Sequence, residues 1–287
     1  MKRLIVNADD FGLTSGVNRA VVELHQKGAL TSATLMAIAP ETAEAVAFPR
    51  ELPNLGVGCH VVLVDGKPAL PPAQLPTLVD PVTGRFRPTL GIFLRDLFLG
   101  RIRSGEIEAE ADAQIARLQD WGLSLTHLDS HKHTHIFPLV LAPILKAAAK
   151  RRIKAIRNPF EPAWSLAATP GAPFLRRLQV HLLNRLQPTF REMVAKAGLS
   201  TTDGAVGVLA TGTLDSATLA SLLQAMPDGS FELVTHPGYN DSDLANTRTR
   251  LLASRELEVN ALRMITFAPD IQLIQFADIA FNAEQPV

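Results

Sequence analysis

Short apolar runs alternate with amphipathic stretches along the whole chain. The first run, residues 4–6, is followed by residues 17–27, in which apolar side chains recur at helical spacing. This alternation predicts βα units and a parallel sheet. Strands are predicted over residues 4–6, 33–38, 55–63, 125–130, 155–157, 205–210, 231–235 and 271–276. Helices are predicted over residues 17–27, 41–47, 104–121, 138–150, 174–197, 215–226 and 249–264.

Two stretches rich in loop-forming residues, 65–90 and 158–173, interrupt this alternation. Loops of this length inside a compact domain are usually functional or disordered, and their apolar content favours lids or substrate walls over a barrel mouth. No linker, repeat or low-complexity tract is visible, and 287 residues suit one α/β barrel. The predicted fold class is therefore α/β, a TIM-like (β/α) barrel that is either deformed or seven-stranded, with residues 1–287 as a single domain.

Charge and composition narrow the range of partners. Lys plus Arg and Asp plus Glu both number 28, so no global field attracts nucleic acid. The single cysteine, Cys59, excludes an intrachain disulfide, and no apolar leader precedes residue 4, which predicts a cytoplasmic protein. No apolar run is long enough for stable membrane insertion, although residues 90–99 could touch the inner-membrane surface or a lipid-like substrate. A homodimer is compatible with the sequence.

The most informative segment is residues 126–135, which contains four of the eight histidines and one carboxylate. If a strand ran throughout, alternate side chains would share one face: His127, Asp129, His131, His133 and His135. A solvated histidine-rich loop is the alternative, but apolar residues on both sides favour a segment packed against a core. We interpret the cluster as a metal or acid–base site.

Other polar residues follow the predicted strands, at the edge where parallel α/β folds place their active sites. Alone, each has a structural explanation: Asp9 and Asp10 as turn residues, His60 in the core, Arg157 in an ion pair and His236 before a proline. Together they fit hydrolysis at a divalent metal: a carboxylate and two imidazoles as ligands, a second carboxylate as base and a further histidine as acid.

Four segments carry a resemblance to a known family: residues 4–13 (LIVNADDFGL), 56–60 (GVGCH), 127–133 (HLDSHKH) and 235–238 (THPG). Together they resemble the YdjC-like carbohydrate deacetylase family, and they are spread over most of the chain. The resemblance implies a TIM-like deformed (β/α) barrel. It also implies an enzyme, a carbohydrate N-deacetylase that uses a divalent metal to release acetate from an N-acetylated sugar.

Carried over by position, the resemblance implies that Asp10, His60 and His131 bind the metal and that Asp9 is the catalytic base. His236 is similar in placement to the general acid of related polysaccharide deacetylases. Arg157 with Pro159 resembles their Arg-x-Pro motif, which adds Arg157 to the catalytic group.

Three further residues are expected to orient the ligands by hydrogen bonding: Asp129, His133 and His135. The metal could be Mg²⁺, which the family resemblance suggests, or Zn²⁺, which two imidazole ligands favour.

A finer resemblance, to the branch associated with hopanoid biosynthesis, rests on residues 62–72, 84–86 and 251–258. It implies an N-acetylglucosaminyl group on a lipid polyol, so the expected substrate is an N-acetylated sugar or glycolipid. Two alternatives remain at this stage. One is another metal-dependent hydrolase or isomerase of sugar or phosphoester substrates, because fold alone does not select the chemistry. The other is a non-catalytic protein that binds a sugar–lipid.

Overall fold

The computed structural model describes residues 1–282 and contains one curled parallel sheet. Seven strands form it: β1 (Lys2–Phe11), β2 (Ser32–Leu35), β3 (Gly56–Val61), β4 (His127–Ser130), β5 (Gly204–Val206), β6 (Gly229–Thr235) and β7 (Ile271–Leu273). Six of them lie in the order β4-β3-β2-β1-β6-β5, and the seventh, β7, pairs with β1. β1 is central because it pairs with β6 along one edge and with β7 and then β2 along the other.

Helices follow most strands and cover the outer face of the sheet. Those in the first half are α1 (Ser15–Gln26), α2 (Thr42–Ala45), α3 (Phe48–Glu51), α4 (Leu90–Phe98), α5 (Ser104–Asp120) and α6 (Pro138–Lys150). The second half adds α7 (Ala163–Ala168), α8 (Phe174–Leu183), α9 (Gln187–Lys196), α10 (Ser216–Ala225), α11 (Ser242–Ala245), α12 (Ala253–Arg263) and α13 (Phe276–Asn282). Within residues 1–282, none of these helices has the length and apolar character needed to cross a bilayer.

Most predicted elements occur, with informative differences. The predicted strand 155–157 makes only isolated bridges, from Ile156 to Leu128 and from Ala155 to Ser200. The predicted helix 174–197 is divided into α8 and α9 by a 3₁₀ turn at Asn184–Leu186. The last strand is predicted to run to Phe276, but it ends at Leu273 and Phe276 begins α13. The loops 65–90 and 158–173 contain a 3₁₀ turn at Pro72–Gln74 and the helix α7, respectively.

Successive side chains of a strand point to opposite faces of the sheet, and the two faces meet different surroundings. In β1, Leu4, Val6 and Ala8 join the large core beneath the helices, whereas Ile5 belongs to a small second cluster with Ala155, with Ile274 just after the last strand and with two residues of α13. Two residues further along the same face as Ile5 come Asn7 and then Asp9. The concave face of the sheet is therefore apolar at one end and polar at the carboxyl end of the strands, where the candidate site residues lie.

Gly58 in β3 offers a test of packing on this concave face. A Cβ there would lie 2.4 Å from the nearest atom of the His127 ring, which is itself stacked on Phe276 with ring centroids 3.7 Å apart. Because the ring is buried and held from its other side, Gly58→Ala is expected to lower the free energy of unfolding by about 1–3 kcal/mol, as overpacked cores do. Urea unfolding measures this.

Gly105→Ala in α5 is the matched control, because a Cβ at Gly105 would meet no atom within 4 Å. It is expected to leave stability unchanged or to raise it by about 0.4–1 kcal/mol. Equal stability of the two variants would contradict the described packing of His127.

Candidate active site

Asp9 and Asp10 lie near the end of β1. An irregularity in the pairing of β1 with β2 at this point turns the two aspartate side chains in different directions. The register shifts between Ala8 and Phe11, and Asp10 has a φ of 63°. Aspartate is among the residues that adopt this left-handed region, and bulges commonly re-aim side chains near active sites. As a result, Asp9 contacts Arg157, while the Asp10 side chain lies between two histidines.

Asp10, His60 and His131 form a compact group at the carboxyl ends of three strands. Oδ1 of Asp10 lies 3.6 Å from Nε2 of His60 and 3.3 Å from Nδ1 of His131. The ligand atoms of the three residues lie within 4.8 Å of one another. Asp10 and His60 are buried, whereas the side chain of His131 is partly exposed. The group is therefore reachable from solvent on the His131 side.

The donor set fits a divalent metal ion. The Oδ1 atom of Asp10 is buried without a hydrogen-bond partner, although an imidazole nitrogen of each neighbouring histidine lies within 3.6 Å of it. A buried carboxylate oxygen without a partner is costly, and a cation bound to it would remove that cost. A second group of the right size, Asp9, His60 and Asp129, is already occupied by the guanidinium of Arg157. We therefore prefer the group that contains Asp10.

His60 is held by a buried hydrogen bond to Asp129. Nδ1 of His60 lies 2.7 Å from Oδ1 of Asp129, which leaves Nε2 directed toward Asp10. Burial disfavours the charged imidazole, but the carboxylates of Asp129, Asp9 and Asp10 outweigh it and raise the pKa of His60 to about 9. The pocket thus favours positive charge at the position where a metal would bind.

Arg157 lies at the centre of the buried charges and is fully inaccessible to solvent. Its Nη1 and Nη2 donate to the two oxygens of Asp9 at 2.9 and 2.6 Å, and Nη1 also contacts Asp129. Its Nε donates to Glu232 at 2.8 Å. Burial disfavours ionisation of Asp9, yet the combined attraction of Arg157, His60 and His236 outweighs it and holds the pKa of Asp9 below its ordinary range. Asp9 is therefore an ionised, rigidly held carboxylate.

His236 approaches Asp9 from the end of β6. Its Nε2 lies 3.7 Å from Oδ2 of Asp9, and its backbone N–H donates to Glu258 at 2.5 Å. Burial lowers the pKa of His236 to about 4, against the attraction of Asp9 and Asp10. The imidazole is therefore neutral at pH 7 in the absence of other ligands.

His133 and His135 lie beside this group in a turn rather than in a continued strand. β4 ends at Ser130, and Lys132 and His133 have φ values of 56° and 50°, so the strand alternation expected through residue 135 does not extend past residue 130. Nδ1 of His135 lies 2.6 Å from the Ser130 hydroxyl. Nδ1 of His133 is buried and lacks a hydrogen-bond partner, and burial lowers the pKa of this histidine to about 3.

Beside these residues lie three buried ionisable side chains for which the sequence predicts no role: Glu232, Arg255 and Glu258. Nη2 of Arg255 donates to Oδ2 of Asp10 at 2.5 Å, so Arg255 fixes the oxygen that does not face the histidines. Burial raises the pKa of Glu232 and of Glu258 to about 7 in each case. A signal was present, because Arg255 and Glu258 share the helical face of α12 with the buried Val259 and Leu262.

The chain matches the sequence model of the YdjC-like protein family over residues 3–272. It is 32% identical to a carbohydrate deacetylase of Thermoanaerobacter pseudethanolicus, over 90% of this chain and 89% of the relative. It is 34% identical to one of Brevibacillus brevis, over 96% and 99%, respectively. These relatives confirm the interpretation of the chain as an enzyme of the carbohydrate deacetylase class, a hydrolase acting on carbon–nitrogen bonds.

A solved structure is also similar. It is a protein of Enterococcus faecalis V583 named for a proposed role in cellobiose-phosphate cleavage, with a TM-score of 0.75 and 26% identity, covering 96% of this chain and 98% of that one. The extent of these matches, which cover most of the chain, shows that the chain belongs to the YdjC-like protein family.

Proposed function

We propose that this protein is a metal-dependent carbohydrate deacetylase that hydrolyses the acetamide of an N-acetylated sugar to acetate and a free amine. The observation that carries the metal requirement is the buried Oδ1 of Asp10, which has no hydrogen-bond partner and lies between the nitrogens of His60 and His131. When bound there, a divalent cation would polarise the acetamide carbonyl and lower the pKa of a water molecule. Mg²⁺ and Zn²⁺ are the two candidate ions, and the reloading experiment described below distinguishes them.

In this proposal Asp9 is the general base. Arg157 holds both of its oxygens, so the carboxylate stays ionised and fixed in orientation. Oδ2 of Asp9 receives the proton of the attacking water as the oxygen of that water bonds to the carbonyl carbon. Its low pKa makes Asp9 a weak base toward ordinary water, which is why the proposal also requires that the water be acidified.

His236 is proposed to protonate the departing sugar nitrogen as the C–N bond breaks. Because burial lowers its pKa to about 4, the proton it delivers must reach it during the reaction. Oδ2 of Asp9 lies 3.7 Å from Nε2 of His236, so the proton taken from water has a short route to the leaving group. Asp129, through His60, and Arg255, through Asp10, keep the two candidate ligands in orientation, and His133 and His135 support the same pocket.

The finer features of the enzyme also belong to this proposal. We propose a single domain with a deformed barrel, because the bridges of residues 155–156 link β4 to residue 200 and the Ala205 N–H donates to the Phe160 carbonyl. The proposed substrate is an N-acetylglucosaminyl group, and the resemblance of residues 62–72, 84–86 and 251–258 supports its attachment to a hopanoid polyol. A cytoplasmic location is also proposed, because the single cysteine excludes an intrachain disulfide.

The test is acetate release by protein that has been stripped with a chelator and reloaded with Mg²⁺ or Zn²⁺. N-acetylglucosaminyl oligosaccharides and lipid-linked forms are assayed in parallel, and free amine is measured with acetate. We expect metal-restored release of both products in equal amounts. His131→Asn should lose the restored activity, whereas His181→Asn, which alters an exposed histidine on α8, should keep it with the oligosaccharide substrates.

Failure of every metal to restore release would reject the deacetylase, provided that the reloaded protein binds the metal. Phosphate release from sugar phosphates under the same conditions would favour a phosphoesterase instead.

A further inference from the structure

Helix α8 (Phe174–Leu183) presents an unusually apolar outer face. None of its ten residues is buried, yet it carries four large apolar side chains with exposed fractions of 77% for Phe174, 71% for Leu175, 42% for Leu178 and 46% for Leu182. At helical spacing these four side chains fall within an arc of roughly 100°, so they form one continuous stripe. We call these four residues the α8 stripe.

The opposite side of α8 is fixed to the protein, so the stripe cannot simply turn inward. Arg176 donates to the carbonyls of Thr211 and Val208 at 2.9 and 3.0 Å, and Arg177 donates to the carbonyl of Leu166 at 2.8 Å. Residues 208 and 211 follow the carboxyl end of β5, and α8 itself follows the segment that begins after Arg157. The stripe therefore lies at the same edge of the sheet as the candidate active site.

The charge around the stripe is of one sign. Residues 162–191 contain four arginines but no aspartate or glutamate, in a chain that has 28 acidic and 28 basic residues in all. One of these arginines, Arg185, is exposed directly after α8. An amphipathic helix with an apolar stripe and a cationic flank is the pattern of helices that lie in the surface of an anionic bilayer.

We propose that the α8 stripe docks the protein on an anionic lipid surface, with the active-site edge of the sheet toward that surface. A second copy of the chain is a poorer occupant. In a two-fold symmetric pair the same patch meets itself, so the cationic residues of one copy would lie against those of the other without carboxylates from this segment to compensate them. Anionic headgroups supply the missing negative charge and the acyl region accepts the leucines.

The test is co-sedimentation of the full chain with vesicles of phosphatidylcholine alone and of equimolar phosphatidylcholine and phosphatidylglycerol. We expect binding to the anionic vesicles, reduced on the order of tenfold or more by the double change Leu175→Gln and Leu178→Gln, since each buried leucine contributes through its apolar area. Arg185→Gln should reduce the preference for anionic over neutral vesicles. This test measures vesicle binding and not turnover. A failure to bind vesicles would therefore not count against the proposed deacetylase activity, and a failure to release acetate would not count against vesicle binding.

Val82→Gln and Met264→Gln are the matched controls, because both residues are highly exposed apolar side chains on other parts of the chain. They should bind vesicles as the unaltered protein does. Absence of vesicle binding, or equal loss in the controls, would overturn the proposal. So would a dimer, detected by light scattering, that dissociates in the Leu175/Leu178 variant while vesicles have no effect, because the stripe would then belong to a second copy. Circular dichroism confirms that each variant is folded.

Discussion

Replacing Arg157 with methionine is expected to lower the free energy of unfolding by about 3–5 kcal/mol, the range for removing one partner of a buried ionic group. Asp9, Asp129 and Glu232 all contact this guanidinium in a region without solvent access. Without it, Asp9 and Glu232 would remain buried with no cation of comparable proximity, and Asp129 would keep only its contact with His60. Urea unfolding of metal-stripped protein is the measurement, because bound metal would itself stabilise the fold.

The pH dependence of this loss has a definite sign. In the folded protein the pKa of Asp9 is lowered, so its pairing with Arg157 adds stability above the unfolded pKa, and that stability is lost as pH falls. In the variant, protonation removes unpaired buried charge, beginning with Glu232, whose pKa is already raised to about 7 by burial. The stability deficit of Arg157→Met should therefore shrink as pH falls from neutral.

Arg151→Met is the control for Arg157→Met. Arg151 also pairs with an aspartate, Asp112, but both side chains are partly exposed, and exposed pairs contribute about 0–1 kcal/mol. A deficit for Arg157→Met that is no larger than that of Arg151→Met, or that grows toward low pH, would contradict the role assigned to the buried cluster.

The sequence predicted the strands and helices best where one periodicity runs without interruption. The helix at Pro138–Lys150 has the predicted bounds, because a proline at its first turn and a continuous apolar face outweigh the internal Pro143. Residues 155–157 were predicted as a strand on apolar character, but their backbone groups bond to different neighbours and form only single bridges. The predicted single domain extends to residue 287, and its last residues, 283–287, lie outside the described part of the chain.

The residues of the candidate site could be predicted from the sequence where polar side chains follow the ends of predicted strands. Asp9, Asp10, His60, His131, Arg157 and His236 were chosen because parallel strands bring their carboxyl ends together, and the structure brings these residues together. Arg255 could not be placed in this way, because it reaches Asp10 from a helix across a separation of 245 residues. Likewise, the strand alternation could not reveal that the backbone turns at Lys132 and His133.

Asp9→Asn should lower kcat by about 10²–10⁴-fold, the contribution of a positioned general base, while metal affinity stays unchanged. Asparagine keeps the shape of aspartate but cannot accept the proton of water. Oδ1 of Asp10, not Asp9, lies between the two histidine nitrogens, so metal binding should survive. The measurements are single-turnover acetate release and metal titration by calorimetry. Asp10→Asn should give the opposite result, with metal affinity reduced first.

The neighbouring contact with Arg157 requires its own control, because Asp9→Asn also removes one of the three carboxylates around that guanidinium. Glu232→Gln removes another of them but leaves Asp9 in place. If Asp9 is the base, Glu232→Gln keeps most of kcat and Asp9→Asn does not. Equal losses in the two variants would mean that Asp9 acts only by balancing the charge of Arg157. Retained turnover in Asp9→Asn would reject Asp9 as the base and shift that role to His236, which lies 3.7 Å away.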